Sequence, residues 1–164
     1  IEATSFFTDL LGYFKSQLKE DGQECSFNLD LEANDIKSFY SDYDVISDIF
    51  LRLLMNTYYH AYSADKKNRN ITVILSQDND CINIEYRDNG RGLDEAERKN
   101  IFIPFFTGDT RKKGNSGLGM YILHNQVMKI LNGKVEVLDS SSGFAIKIQL
   151  PKTYPEYDTF NQLN

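Results

Sequence analysis

Asp88-Asn89-Gly90-Arg91-Gly92 and Gly114-Asn115-Ser116-Gly117-Leu118-Gly119 are the two stretches whose residue types and spacing could do chemistry. The Asp88 carboxylate can accept from an exocyclic amine, and Gly90 and Gly92 let the backbone approach a ring or a phosphate. The second stretch is a glycine-rich turn opening a helix, and the first N–H groups of a helix suit an anion. Together the two suggest a nucleotide pocket, although either alone is unspecific. A third piece lies upstream, where Arg52, Asn56, Tyr59, His60 and Ser63 recur at helical spacing as a polar stripe.

Those residues need elements to hold them. Asp44 to Ser63 reads as a helix, with Ile46, Ile49, Phe50, Leu53, Leu54, Thr57 and Ala61 as its core face beside the polar stripe. Ile71-Val73-Leu75 and Ile82-Ile84-Tyr86 alternate as two strands around the turn Gln77 to Asp80, and the second delivers Asp88 to its loop. Upstream, Ser5 to Leu18 is a helix with Ser5 as its N-cap, Ser26 to Leu31 a strand, and Ile36 to Tyr40 a second short strand. Downstream come a short helix at Glu95 to Asn100 and an apolar knot at Ile101 to Thr107. The aperiodic stretch Gly108 to Ser116 has the character of a mobile lid. A helix over Gly117 to Leu131 and strands at Lys134 to Leu138 and Phe144 to Leu150 follow, and Pro151 ends the last. This order predicts an α+β fold: a two-layer α/β sandwich with a mixed, mostly antiparallel sheet, helices on one face, and a lid.

The 164 residues suffice for one domain with a core, read as 1–151 with 152–164 as a tail or linker. A net charge of −6 disfavours nucleic acid or an anionic membrane as the main partner, which makes the basic cluster Arg111-Lys112-Lys113 a local feature. Cys25 and Cys81 have neither metal-site spacing nor a disulfide framework, as in a reduced cytosolic protein. No apolar run approaches membrane-spanning length. The chain begins with Ile1 rather than Met, which suggests a piece of a longer protein.

Leu53-Leu54-Met55-Asn56 on a helix, Asp88-x-Gly90-x-Gly92, Ile101-Phe102-x-Pro104-Phe105-Phe106 and Gly117-Leu118-Gly119 stand in an order that resembles the ATP-binding catalytic domain of sensor histidine kinases. That domain belongs to the GHKL superfamily shared with Hsp90, gyrase B and MutL, and the resemblance runs from about Thr4 to Pro151. It implies a protein histidine kinase domain that binds Mg-ATP and donates the γ-phosphate to a histidine on a dimerisation domain outside this chain. It implies a response regulator as indirect partner, a homodimeric parent, and a cytoplasmic domain whose parent could be membrane-anchored.

By the same resemblance, Asn56 holds Mg²⁺ and acts with His60 at the phosphate end, and Tyr59 lines that end. Asp88 selects adenine, and Gly90 and Gly92 pass under the purine. Phe105 and Phe106 anchor one end of the lid, with Thr107 and Gly114 as nucleotide contacts at its ends. Gly117, Leu118 and Gly119 open the helix that faces the phosphates. Charge and position, rather than the family pattern, place Arg111, Lys112 and Lys113 to close over the triphosphate.

Two positions depart from the family pattern. Arg52 stands where hydrolysing relatives carry a water-activating Glu, and a guanidinium is no base near neutral pH. Tyr59 replaces a phosphate-lining Lys or Arg. These departures keep open an alternative, a degenerate nucleotide-binding or regulatory module without phosphotransfer. Blander readings also stand: Asp88 as a hairpin turn, His60 as a packing histidine, His124 as structural, and the basic cluster as a solvated loop.

Overall fold

The computed structural model describes residues 1–20, 28–33, 36–62, 68–107 and 116–152. Five strands form one sheet in the order β1-β2-β3-β5-β4: β1 Asn28–Ala33, β2 Asn70–Gln77, β3 Cys81–Asp88, β4 Lys134–Val137 and β5 Ala145–Pro151. The strand β1 runs parallel to β2, and the other neighbours are antiparallel. A parallel pair needs a crossover, and helix α2 (Tyr43–Asn56) supplies it, continuing as a wider π-helical turn over Thr57–Ala61.

One sheet face carries Ile71, Val73, Leu75, Ile84, Tyr86, Ile146 and Ile148, all essentially buried. The opposite face carries polar cross-strand pairs such as Asn83 with Gln149 and Glu85 with Lys147. Helix α1 (Ala3–Glu20), α2 and α4 (Gly119–Asn125, continued by a π-helical turn over Gln126–Ile130) join the apolar face in a single core. Phe7 meets Phe50 edge to face at 4.8 Å between ring centres, tying α1 to α2. Leu53 is completely buried in that core. The expected α+β sandwich, with its helices on one face of a mixed sheet, is therefore observed.

Several boundaries differ from the sequence reading. Helix α1 begins at Ala3, two residues before Ser5, and the Ser5 amide donates to the Glu2 carboxylate at 2.7 Å; Glu2, not Ser5, satisfies the first turn. The strand expected at Ile36 to Tyr40 is reduced to one bridge between Ser38 and Glu2, because its backbone bonds to the first residues of the chain, as in the Phe39 amide to the Ile1 carbonyl at 2.9 Å, rather than to the sheet. Helix α2 starts one residue earlier than expected, where the Asp42 carboxylate caps it by accepting from the Val45 amide at 3.0 Å. It ends at Ala61 because Tyr62 turns to extended backbone. The helix expected from Gly117 begins at Gly119, since Gly117 has φ +65. The short helix α3 (Glu95–Asn100) forms as expected, closed by a reciprocal cap between Asp94 and Glu97.

Candidate functional site

Asp88 ends β3 at the sheet's apolar face, 5% exposed. One of its carboxylate oxygens accepts from the Gly90 amide at 2.8 Å and from the Phe144 amide at 3.1 Å. The other accepts from the Thr57 hydroxyl at 2.9 Å, and that hydroxyl also meets the Tyr86 phenol at 2.8 Å. Burial, assisted by the Asp88 charge and opposed by the Thr57 bond, keeps the Tyr86 phenol protonated well above its usual range. A carboxylate offers about four acceptor positions, so one remains to Asp88 beside the cavity it lines.

The turn after Asp88 is stapled on both sides. Asn89 accepts from the Asn70 amide at 2.9 Å and donates to the Asn68 carbonyl at 3.1 Å. Gly90 fits against α2, where a Cβ would stand 2.5 Å from the Ala61 carbonyl oxygen. Gly143, with φ +75, lies against the Asp88 carbonyl, and any Cβ there would collide with it.

A cavity of about 630 Å³ opens between α2, the Asp88 turn, α3 and the start of α4, a size ordinary for a small-molecule site. Of the residues singled out in the sequence, Arg52, Asn56, Tyr59, His60, Asp88, Gly92, Phe106, Thr107, Gly117, Leu118 and Gly119 line it. Gly90 does not; its missing side chain serves contact with Ala61. Phe105 does not either, being 73% exposed with φ +66. Arg111, Lys112, Lys113 and Gly114 lie outside the described residues. His124 packs against Phe102 at 4.9 Å between ring centres, with the rings tilted by 42°.

Phe105 and Gly117, described residues on either side of positions 108–115, meet. The Phe105 amide donates to the Gly117 carbonyl at 3.0 Å, and a Cβ on Gly117 would stand 2.6 Å from the Phe105 carbonyl carbon.

Several lining residues have partners that the sequence did not show. Arg91, between the two glycines, makes a two-pronged ion pair with Glu97 at 2.8 and 2.9 Å. Glu97 is 6% exposed, and the Arg91 hydrogen bonds hold its carboxyl below the usual value against the opposing effect of burial, aided by the Asp94 amide and by the charges of Arg91 and His60. Arg52 is bonded through Nε to Asp48 at 2.8 Å, and the same Asp48 oxygen accepts from the Gln126 amide at 2.6 Å. The i, i+4 spacing of Asp48 and Arg52 was visible in the sequence; Gln126, 78 residues away, was not.

The histidine kinase-, DNA gyrase B-, and HSP90-like ATPase family matches residues 41–154, most of the chain and the whole of this cavity's lining. The chain belongs to that family. Among its relatives, a probable C4-dicarboxylate sensor kinase of Halalkalibacterium halodurans is 27% identical over 139 residues, 84% of this chain and 25% of the relative. The sensor histidine kinase YvrG of Bacillus subtilis is 26% identical over 133 residues, 80% of this chain and 22% of the relative. The chain thus spans about a quarter of the length of these sensor kinases. A mycobacterial sensor histidine kinase, MprB, has the same fold, with a TM-score of 0.72 at 22% identity, covering 92% of this chain and 96% of that one. This member of the ATPase family is therefore kin to the catalytic domains of sensor histidine kinases. No described helix is long and apolar enough to cross a membrane.

Proposed function

We propose that this domain binds Mg-ATP and presents its γ-phosphate to a histidine on a dimerisation domain of the parent protein, from which a response regulator takes the phosphate. In that transfer the bond from the γ-phosphorus to the β,γ-bridging oxygen breaks, a phosphorus–nitrogen bond to the imidazole forms, and ADP departs. The carrying observation is the buried Asp88 carboxylate, held by Gly90, Phe144 and Thr57 with one acceptor position left beside the cavity. That geometry suits the adenine amino group.

The residues fit Mg²⁺ as well as the nucleotide. Among the described residues the Asn56 side chain lines the cavity and has no hydrogen-bond partner. No three His, Cys, Asp or Glu side chains gather among the described residues as a metal cage. Mg²⁺ held against a triphosphate would require none, because the Asn56 side-chain oxygen could hold it while phosphates and water supplied its other ligands. The bound ion would neutralise phosphate charge, and the protein's share is positioning and electrostatics.

The cavity's carboxylates favour transfer over hydrolysis. Asp48 is paired with Arg52, Asp88 is fixed by three donors, and Glu97 is gripped by Arg91. None is placed as a loose base for water, and Arg52 cannot serve as one.

Calorimetric titration with Mg-ATP, for the wild type and Asp88→Asn, tests the site. Binding that the variant loses by about tenfold or more supports it; a folded wild type that binds no nucleotide overturns it and favours the regulatory-module reading. Phosphorylation of a supplied dimerisation domain then separates a kinase from a binding module.

A further inference from the structure

Arg52 lines the cavity one helical turn before Asn56 on α2. Its Nε is spent on Asp48, yet among the described residues neither terminal nitrogen of the guanidinium makes a hydrogen bond. Four N–H donors in a rigid fork are therefore uncommitted. The other arginine of the cavity wall differs, because both terminal nitrogens of Arg91 are taken by Glu97. No lysine stands among the described lining residues.

Position sets what the fork can reach. The base end of the cavity is marked by Thr57, bonded to Asp88, and by Ala61, against Gly90. Arg52 lies five residues before Thr57, roughly 7 Å along the helix axis. A nucleotide anchored at Asp88 and running toward the start of α2 would carry its last phosphates past Asn56 to Arg52. Asp48, fixed in turn by Gln126, pins the guanidinium through Nε and leaves both terminal amino groups uncommitted at the cavity wall.

We infer that Arg52 is the cation of the terminal-phosphate subsite, its two amino groups taking non-bridging oxygens of the γ-phosphate and so favouring triphosphate over diphosphate. Asp48 and Gln126 position it. The inference rests on the nucleotide reading above and deepens it: a residue that removes a hydrolytic base at this place supplies charge to the phosphate instead.

The test is calorimetric affinity for Mg-ATP and Mg-ADP in the wild type, Arg52→Gln and Arg52→Lys, with thermal melts to establish folding. Arg52→Gln should weaken Mg-ATP by about tenfold or more while changing Mg-ADP by no more than about threefold, the difference a lost charge-assisted contact makes. Arg52→Lys, which keeps the charge and loses the fork, should fall between. An unchanged ATP-to-ADP ratio in Arg52→Gln overturns the inference and leaves the nucleotide site standing. Failure of the wild type to bind either nucleotide overturns both. If Arg52→Gln does not fold, the ratio in Arg52→Lys decides: reduced, it supports the fork; unchanged, it removes it.

Discussion

Thr57 and Asp88, 31 residues apart, are joined by a 2.9 Å hydrogen bond that fastens α2 to the end of β3. The same hydroxyl lies 2.8 Å from the Tyr86 phenol, so one buried side chain serves both a structural partner and the proposed base-selecting carboxylate. Thr57→Val keeps the shape and removes the hydroxyl. It should cost about 1–3 kcal/mol, because a carboxylate oxygen and a phenol are left short of a partner. Urea unfolding measures this cost, and unchanged stability would show that the network carries no weight.

Tyr86 makes stability fall at alkaline pH. Its phenol is held well above the ordinary value of 10.0. Below that ordinary value both folded and unfolded chains keep the proton, so its contribution is fully present. Above it only the unfolded chain releases the proton, and stability drops as pH rises toward the folded value. Melting temperatures from about pH 8 to about pH 11 should fall more steeply in the wild type than in Tyr86→Phe.

Glu97 acts at the opposite end of the scale. Its carboxyl is lowered from 4.5, chiefly by the Arg91 hydrogen bonds. Its contribution is present above 4.5 and is lost as pH falls through the lowered folded value. Glu97→Gln should therefore be less stable than the wild type near neutrality, with the gap closing under acid. A gap that persists unchanged at low pH would assign the pair no such role.

Three glycines should respond differently to alanine. Gly143→Ala meets the Asp88 carbonyl at a positive φ, and Gly117→Ala meets Phe105 and Phe106 at another. Each should destabilise by about 2 kcal/mol or more. Gly119 has nothing within 4 Å of a built Cβ, so Gly119→Ala should fold normally, and a loss of Mg-ATP affinity in it would report crowding at the phosphates. Thermal melts and calorimetry on the three variants give both readouts.

The sequence by itself determined most of the elements and the order of the motifs, though not the strand expected at Ile36 to Tyr40. The core stripe of α2 and the alternation of β2, β3 and β5 are local periods, so burial of one face follows from residue spacing alone. Asp88, Asn56 and the Gly117–Gly119 turn were visible for the same reason, as residue types whose chemistry is written in a few consecutive positions.

Only the tertiary structure decided which side chains meet. Placing β5 between β3 and β4 brings Phe144 and Gly143 against Asp88, and no local pattern encodes that neighbour. It made Gly90 a contact for Ala61 rather than a cavity residue, turned Arg91 from a turn residue into the partner of Glu97, and left the fork of Arg52 unspent. Periodicity reports the direction a side chain faces along its own element. What stands opposite depends on chain segments tens of residues away, and those come together only when the sheet closes its order.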